Sequence, residues 1–189
     1  MYTSKVEIYE LIKAWLAISV AFTILLRATD IGIINVFILS IITVGAGFLL
    51  HELAHKIVAQ YYHCHAEFKA DNQMLIIAII MSFIGFIIAA PGAVRIKGFT
   101  TYRENGIISI AGPITNAILA FIFLPFIFFG GLIGIVASYG FLINSWLGLF
   151  NMIPVWKFDG AKVWEWNKTI YWITTITLLI MTFSSFYLI

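Results

Sequence analysis

Long apolar runs leave this chain few folds to choose from. A bilayer crossing by a helix takes about 20 consecutive apolar residues. Stretches of that order run from about Ala14 to Leu26, Ile33 to Tyr61, Gly106 to Phe129, Leu132 to Ile153 and Thr169 to Ile189. The first is short, but the amphipathic segment before it can extend the helix. Of the 189 residues, 62% are hydrophobic and 11% charged, where a soluble domain carries roughly 45–50% and about 25%. Mean hydropathy is +1.01. No soluble core could hide so much apolar surface, so lipid is the solvent for most of the chain. The expected fold is an all-α polytopic membrane protein, with residues 1–189 as a single membrane-embedded domain and a core at about 33–160. No cleavable signal peptide is evident, so the first apolar run reads as a retained membrane helix.

One further apolar run, Met74–Ala90, is the ambiguous one. At about 17 residues it could just span. Charge decides against that. Cytoplasmic loops collect Lys and Arg. With the N-terminus inside and Met74–Ala90 re-entrant, Lys5, Lys13, Lys56, Lys69, Arg95, Lys97, Arg103, Lys157, Lys162 and Lys168 all fall inside, and only Arg27 lies outside. A full crossing would move Arg95, Lys97 and Arg103 outside and invert every later element. About five transmembrane helices are therefore expected, plus a re-entrant segment at about 74–94 with a β-hairpin as its candidate conformation. Backbone at membrane depth that is not helical must pair against protein. Trp156, Trp164 and Trp166 sit in a polar stretch, Pro154–Lys168, which suits a membrane interface.

Net charge is +2, with no basic stripe, so nucleic acid is not an expected partner. The single cysteine, Cys64, excludes an intrachain disulfide framework and a four-cysteine zinc site. His63 and His65 flank it, but their spacing from His55 makes no recognised ligand set.

The pentapeptide His51-Glu52-Leu53-Ala54-His55 is different. Residues four apart share a helix face. Two imidazoles so placed can bind one zinc ion, and the glutamate between them can act as general base towards its water. Counted from Ile33, His51 lies roughly 27 Å along its helix, near the boundary of a hydrocarbon core about 30 Å thick. Ionisable residues at such depth are costly and mark function. The bland alternative is a helix end whose polar groups reach interfacial water.

A catalytic zinc takes three protein ligands and keeps one position open. Asp159 is the candidate third ligand. Pro154 ends the fourth span, and the chain turns at Asp159-Gly160, where glycine permits unusual dihedrals. The charge distribution places that turn on the same side as His51 and His55. Alone, an Asp-Gly pair is an ordinary turn. Beside the histidine motif, the ligand reading is the better one.

These motifs resemble the site-2 protease family of intramembrane zinc metalloproteases. That family carries HExxH in one core helix and Asn-x-x-Pro…Asp-Gly at the end of another, similar to Asn151-Met152-Ile153-Pro154 through Asp159-Gly160 here. Ala111-Gly112-Pro113-Ile114-Thr115-Asn116 resembles the family's Gly-Pro segment in the helix between. Two positions depart from the pattern: Lys157 stands where a second proline is common, and Ala161-Lys162 where Gly-Arg is. The resemblance implies a zinc endopeptidase that hydrolyses peptide bonds in or near transmembrane segments of membrane-protein substrates. It also implies β-structure after the HExxH helix that pairs with an unwound substrate. Asn151 and Asn116 are candidates for binding substrate or stabilising an oxyanion, against a role as glue between helices. Asn144 reads as packing. The size suggests a multi-pass protein of a prokaryotic cell membrane with its active site towards the cytoplasm. A metal-ion carrier and a catalytically silent, membrane-protein-binding relative are the alternatives. The intact Glu52 and the apolar outer halves of the spans count against both.

Overall fold

A computed structural model describes residues 2–27, 31–87, 91–155 and 157–188. The eight α-helices among them are α1 (Lys5–Leu25), α2 (Ile33–Ser40), α3 (Ala46–Tyr61), α4 (Asn72–Phe83), α5 (Tyr102–Phe123), α6 (Gly131–Asn151), α7 (Asp159–Trp166) and α8 (Lys168–Leu188). Two strands, β1 (His65–Ala70) and β2 (Gly92–Lys97), lie on either side of α4 in the chain. A π-helical turn, Ile41–Gly45, joins α2 to α3 as one rod from Ile33 to Tyr61. A 3₁₀ stretch, Leu124–Phe129, prolongs α5. Five of these rods are long and apolar enough to cross a membrane: Lys5–Leu25, Ile33–Tyr61, Tyr102–Phe129, Gly131–Asn151 and Lys168–Leu188. The chain is a multi-pass membrane protein of mainly helical structure. Its exposed Ile118, Phe121, Ile173, Leu179, Ile180 and Phe183 are the lipid-facing side of that design.

Local chemistry sets the ends of these elements. Ser4 Oγ accepts from the Glu7 N–H to start α1 nine residues before the expected apolar run. Thr101 and Glu104 form a reciprocal capping box that starts α5. Asp71 accepts from the N–H groups of Gln73 and Met74 at the head of α4.

The apolar run expected to re-enter turns back on itself, and its β-structure lies elsewhere than expected. The apolar run is helical over α4, and its last residues, Ile88, Ala89 and Ala90, lie outside the described residues. A helix of 12 residues rises only about 18 Å, short of the roughly 30 Å core. The strands come from the polar flanks. They pair antiparallel from His65↔Lys97 to Ala70↔Gly92. The segment between Ala70 and Gly92 therefore leaves and returns to one point, which no crossing could do. The reason is visible in the flanks: both strands alternate in burial, with Ala66, Phe68 and Ala70 inward on β1. Helix α4 lies against α1, and Leu75 and Ala78 share a buried cluster with Leu11, Ala14 and Ile18.

The sheet has one closed edge and one open edge. The Phe68 N–H donates to Glu7 Oε1 at 2.9 Å, and the Ala70 N–H to Glu10 Oε2 at 3.1 Å. Two carboxylates of α1 thus cap the outer side of β1. Glu7 also pairs with Lys56 of α3, and both are fully buried. Lys56 Nζ donates a second bond to Thr3 Oγ1 at 3.0 Å. Because Phe68 and Ala70 direct their N–H groups away from β2, their partners Val94 and Gly92 direct theirs away from β1. The free edge of β2 faces the helix that carries the histidines.

Candidate metal centre

Helices α3 and α5 run antiparallel past each other, and one face of α5 holds both histidines of α3. Ile108, Gly112 and Asn116 are spaced four apart, so they form a single stripe. The Ile108 carbonyl accepts from His55 Nδ1 at 2.8 Å. Asn116 Oδ1 accepts from His51 Nδ1 at 2.6 Å. Gly112, between them, leaves room for the rings: a Cβ there would stand 2.5 Å from Nε2 of both His51 and His55. Pro113 follows within the helix.

Asp159 arrives from the far end of α6. After α6 ends at Asn151, the chain folds back, and α7 begins at Asp159 itself. Gly160 packs onto the end of α6 so closely that a Cβ would sit 2.2 Å from the Met152 carbonyl oxygen. That contact brings Asp159 Oδ2 to 3.3 Å from His51 Nε2 and 3.1 Å from His55 Nε2. The two Nε2 atoms are 3.0 Å apart. His51, His55 and Asp159 are all buried and together form a group able to hold a metal ion.

The hydrogen bonds show why the group fits a divalent cation. A carbonyl oxygen only accepts, so His55 Nδ1 is the donor in its bond. The Asn116 amide nitrogen donates to the Gly47 carbonyl at 3.3 Å and to Asn144 Oδ1 at 3.1 Å. Its Oδ1 is therefore the acceptor for His51 Nδ1. Both neutral rings then turn an Nε2 lone pair towards Asp159 and towards each other. Three acceptors converge and need a cation. Protons on both rings would set two like charges 3.0 Å apart. One metal ion satisfies all three atoms at once, and the ring Nδ1–H bonds are the usual support for such ligands. Donor atoms about 2.0–2.1 Å from a tetrahedral zinc stand about 3.3–3.4 Å apart, close to the separations here. Lys162, one turn on from Asp159, adds a cation at 3.9 Å from its Oδ1.

Glu52 is buried beside the group, and its carboxylate lies towards the Val94 backbone N–H on the open edge of β2. Both line a cleft of about 610 Å³ that also takes in His51, His55, Asn151 and Asp159. Asn151 is half-buried, and its amide donates to the Leu147 carbonyl of its own helix at 2.9 Å. Asn116 differs from its expected place. It is fully buried, and its amide hydrogens are taken by Gly47 and Asn144. It has no donor left for a substrate or an oxyanion, and it orients His51 instead. Asn144, expected to be packing, is the next member of this relay and donates in turn to the Gly140 carbonyl at 2.8 Å. Its signal in the sequence was an asparagine within an apolar span. Trp164 stacks edge-on with Tyr171 and Trp172 and carries Lys168 over its ring, while Trp156 lies outside the described residues.

Membrane-length helices closed around two histidines and an aspartate define a membrane metalloprotein. Comparison with known proteins narrows the class. A protein of Methanocaldococcus jannaschii named "Putative zinc metalloprotease MJ0611" is 46% identical over 151 residues, covering 77% of this chain and 79% of that one. A Bacillus subtilis protein named "Putative zinc metalloprotease YwhC" is 30% identical over 146 residues, 66% of this chain and 67% of that one. No family profile matches the chain, and no solved structure matches it. The chain belongs to this family of zinc metalloproteases, whose metal is zinc, and its His51–His55–Asp159 group is one that could hold such an ion.

Proposed function

We propose that the chain is an intramembrane endopeptidase of the site-2 protease type, cutting transmembrane protein substrates in or near their membrane segments. The observation that carries the reading is the placement of Glu52. It lies between the two histidines on α3 and touches the open edge of β2, so base, metal group and peptide-binding edge share one cleft. A substrate helix must unwind before its peptide bonds are exposed. An extended segment could then add to β2 through main-chain hydrogen bonds, which tolerate many sequences.

Zinc, when bound, supplies a Lewis acid that acidifies a water and polarises the scissile carbonyl. The chain's own residues do the rest. His51 and His55 are held in one tautomer by Asn116 and Ile108. Glu52 takes the proton of the attacking water and delivers it to the leaving amine. Asn151, with an amide group at the cleft, is the candidate to steady the developing oxyanion. Asp71, Gln73, Arg95 and Lys162 make part of the cleft wall polar and give water a way in. The distribution of Lys and Arg supports a cleft that opens to the cytoplasm of a prokaryotic cell.

The test uses the chain in lipid vesicles with a membrane-spanning reporter. Cleavage should stop when zinc is chelated, resume when zinc is restored, and map by mass spectrometry to residues in or beside the membrane segment. Cleavage that persists without zinc, or that falls far from the membrane segment, contradicts the reading. Ion carriage would require further ligand groups along a path to the other face. Among the described residues His51, His55 and Asp159 form the one such group.

A further inference from the structure

The sheet beside the metal group carries a charge pattern that the proposed reaction does not use. On β2, Gly92, Val94 and Ile96 turn inward and are half-buried, while Ala93, Arg95 and Lys97 are exposed on the opposite face. Two cations thus project from one face of the strand whose edge is open. Glu67 stands opposite Arg95 in the register. Its carboxylate, however, accepts from Ser4 Oγ at 2.8 Å. Among the described residues neither the Arg95 nor the Lys97 side chain has an ion-pair or hydrogen-bond partner. Arg95 also lines the cleft that holds Glu52 and Asp159. A strand added to β2 would place alternate side chains directly beside these cations, because paired residues on neighbouring strands share a face.

We propose that Arg95 and Lys97 form a subsite for acidic side chains, so that the preferred substrate segment carries Asp or Glu at alternate positions on its outward side. The subsite presupposes the peptidase reading of the cleft. Anionic lipid headgroups could also attract two cations. The peptide is favoured because both cations sit on the open strand, with Arg95 next in sequence to the residue that touches Glu52. A headgroup has no need of that register. Cross-strand pairs of opposite charge contribute a factor of about 1.4–5 each, and like charges oppose pairing. Two pairs together should separate an acidic from a basic segment by roughly tenfold.

The experiment scans a pair of Glu residues, two apart, along the segment flanking the membrane part of the reporter. Matched Gln and Lys series accompany it, in phosphatidylcholine vesicles. Expected is a preference for Glu over Lys of roughly tenfold in kcat/KM at positions of one parity only. R95E/K97E should then favour Lys at that same parity, and R95Q/K97Q should erase the difference should the reversal not fold. Equal rates for all three series, or a charge effect without parity, overturns the subsite. So does a dependence on Arg95 and Lys97 that needs anionic lipid and is the same for every reporter. Equal cleavage of the Gln series by wild type and Glu52→Gln would instead remove the peptidase reading beneath it.

Discussion

Gly112→Ala puts the metal group to a geometric test. The new methyl carbon would stand 2.5 Å from Nε2 of His51 and 2.5 Å from Nε2 of His55. Contact at ordinary van der Waals distance requires those atoms, or α5, to give way by about 1 Å, whereas metal–ligand distances hold to about ±0.2 Å. The rings cannot simply swing aside. His51 Nδ1 is tied to Asn116 and His55 Nδ1 to the Ile108 carbonyl, at 2.6 and 2.8 Å. Both tethers are on α5, the helix that carries the intruding methyl group. Disturbing only the supports of a metal ligand typically costs 10–100-fold in affinity. Moving two ligands should cost at least that, about 1.4–2.8 kcal/mol or more. The assay is zinc retention against a chelator of graded strength, with circular dichroism in detergent to show that the helices persist. A folded Gly112→Ala protein that holds zinc as tightly as wild type would falsify the site geometry.

Other perturbations probe the supports. Asn116→Ala removes the acceptor of His51 Nδ1 and should weaken zinc retention by about 10–100-fold, read by the same chelator titration. Lys56→Met leaves Glu7 buried without its partner and should destabilise the fold by about 3–5 kcal/mol. K56M/E7Q should recover much of that loss, because a glutamine can still accept from the Phe68 N–H; thermal unfolding in detergent distinguishes the two. For topology, single cysteines at Lys97 and at Arg27 should react with a membrane-impermeant thiol reagent from opposite sides, with residue 97 protected from outside. Labelling of both from one side contradicts the re-entrant arrangement.

The candidate metal group is more legible in the sequence than its supports. His51 and His55 follow from helical periodicity alone. Asp159 was placed by Pro154, the Asp-Gly turn and the distribution of Lys and Arg. The strands carried a signal of their own, since His65–Ala70 and Val94–Lys97 alternate polar and apolar residues. The apolar run between them drew the expected hairpin inward instead. Contacts made only in three dimensions left no such trace. Nothing local joins Asn116 to His51, 65 residues away, or Glu7 to Lys56, 49 residues away. Lys56, a charge within an otherwise apolar span, could have suggested that a carboxylate partner was needed. Asn116 was drawn towards substrate because a membrane asparagine has several possible partners, and only the packing of α3, α5 and α6 chooses among them.

Glu52→Gln tests the central claim most directly, with cleavage of the membrane-spanning reporter and bound zinc measured on the same samples. The side chain keeps its size and loses its basicity, while His51, His55 and Asp159 are untouched. General-base catalysis accounts for about 10²–10⁴-fold in rate. Zinc content equal to wild type with cleavage reduced by that factor is the predicted result. Zinc-loaded Glu52→Gln protein that cleaves within a few-fold of wild type would contradict the account.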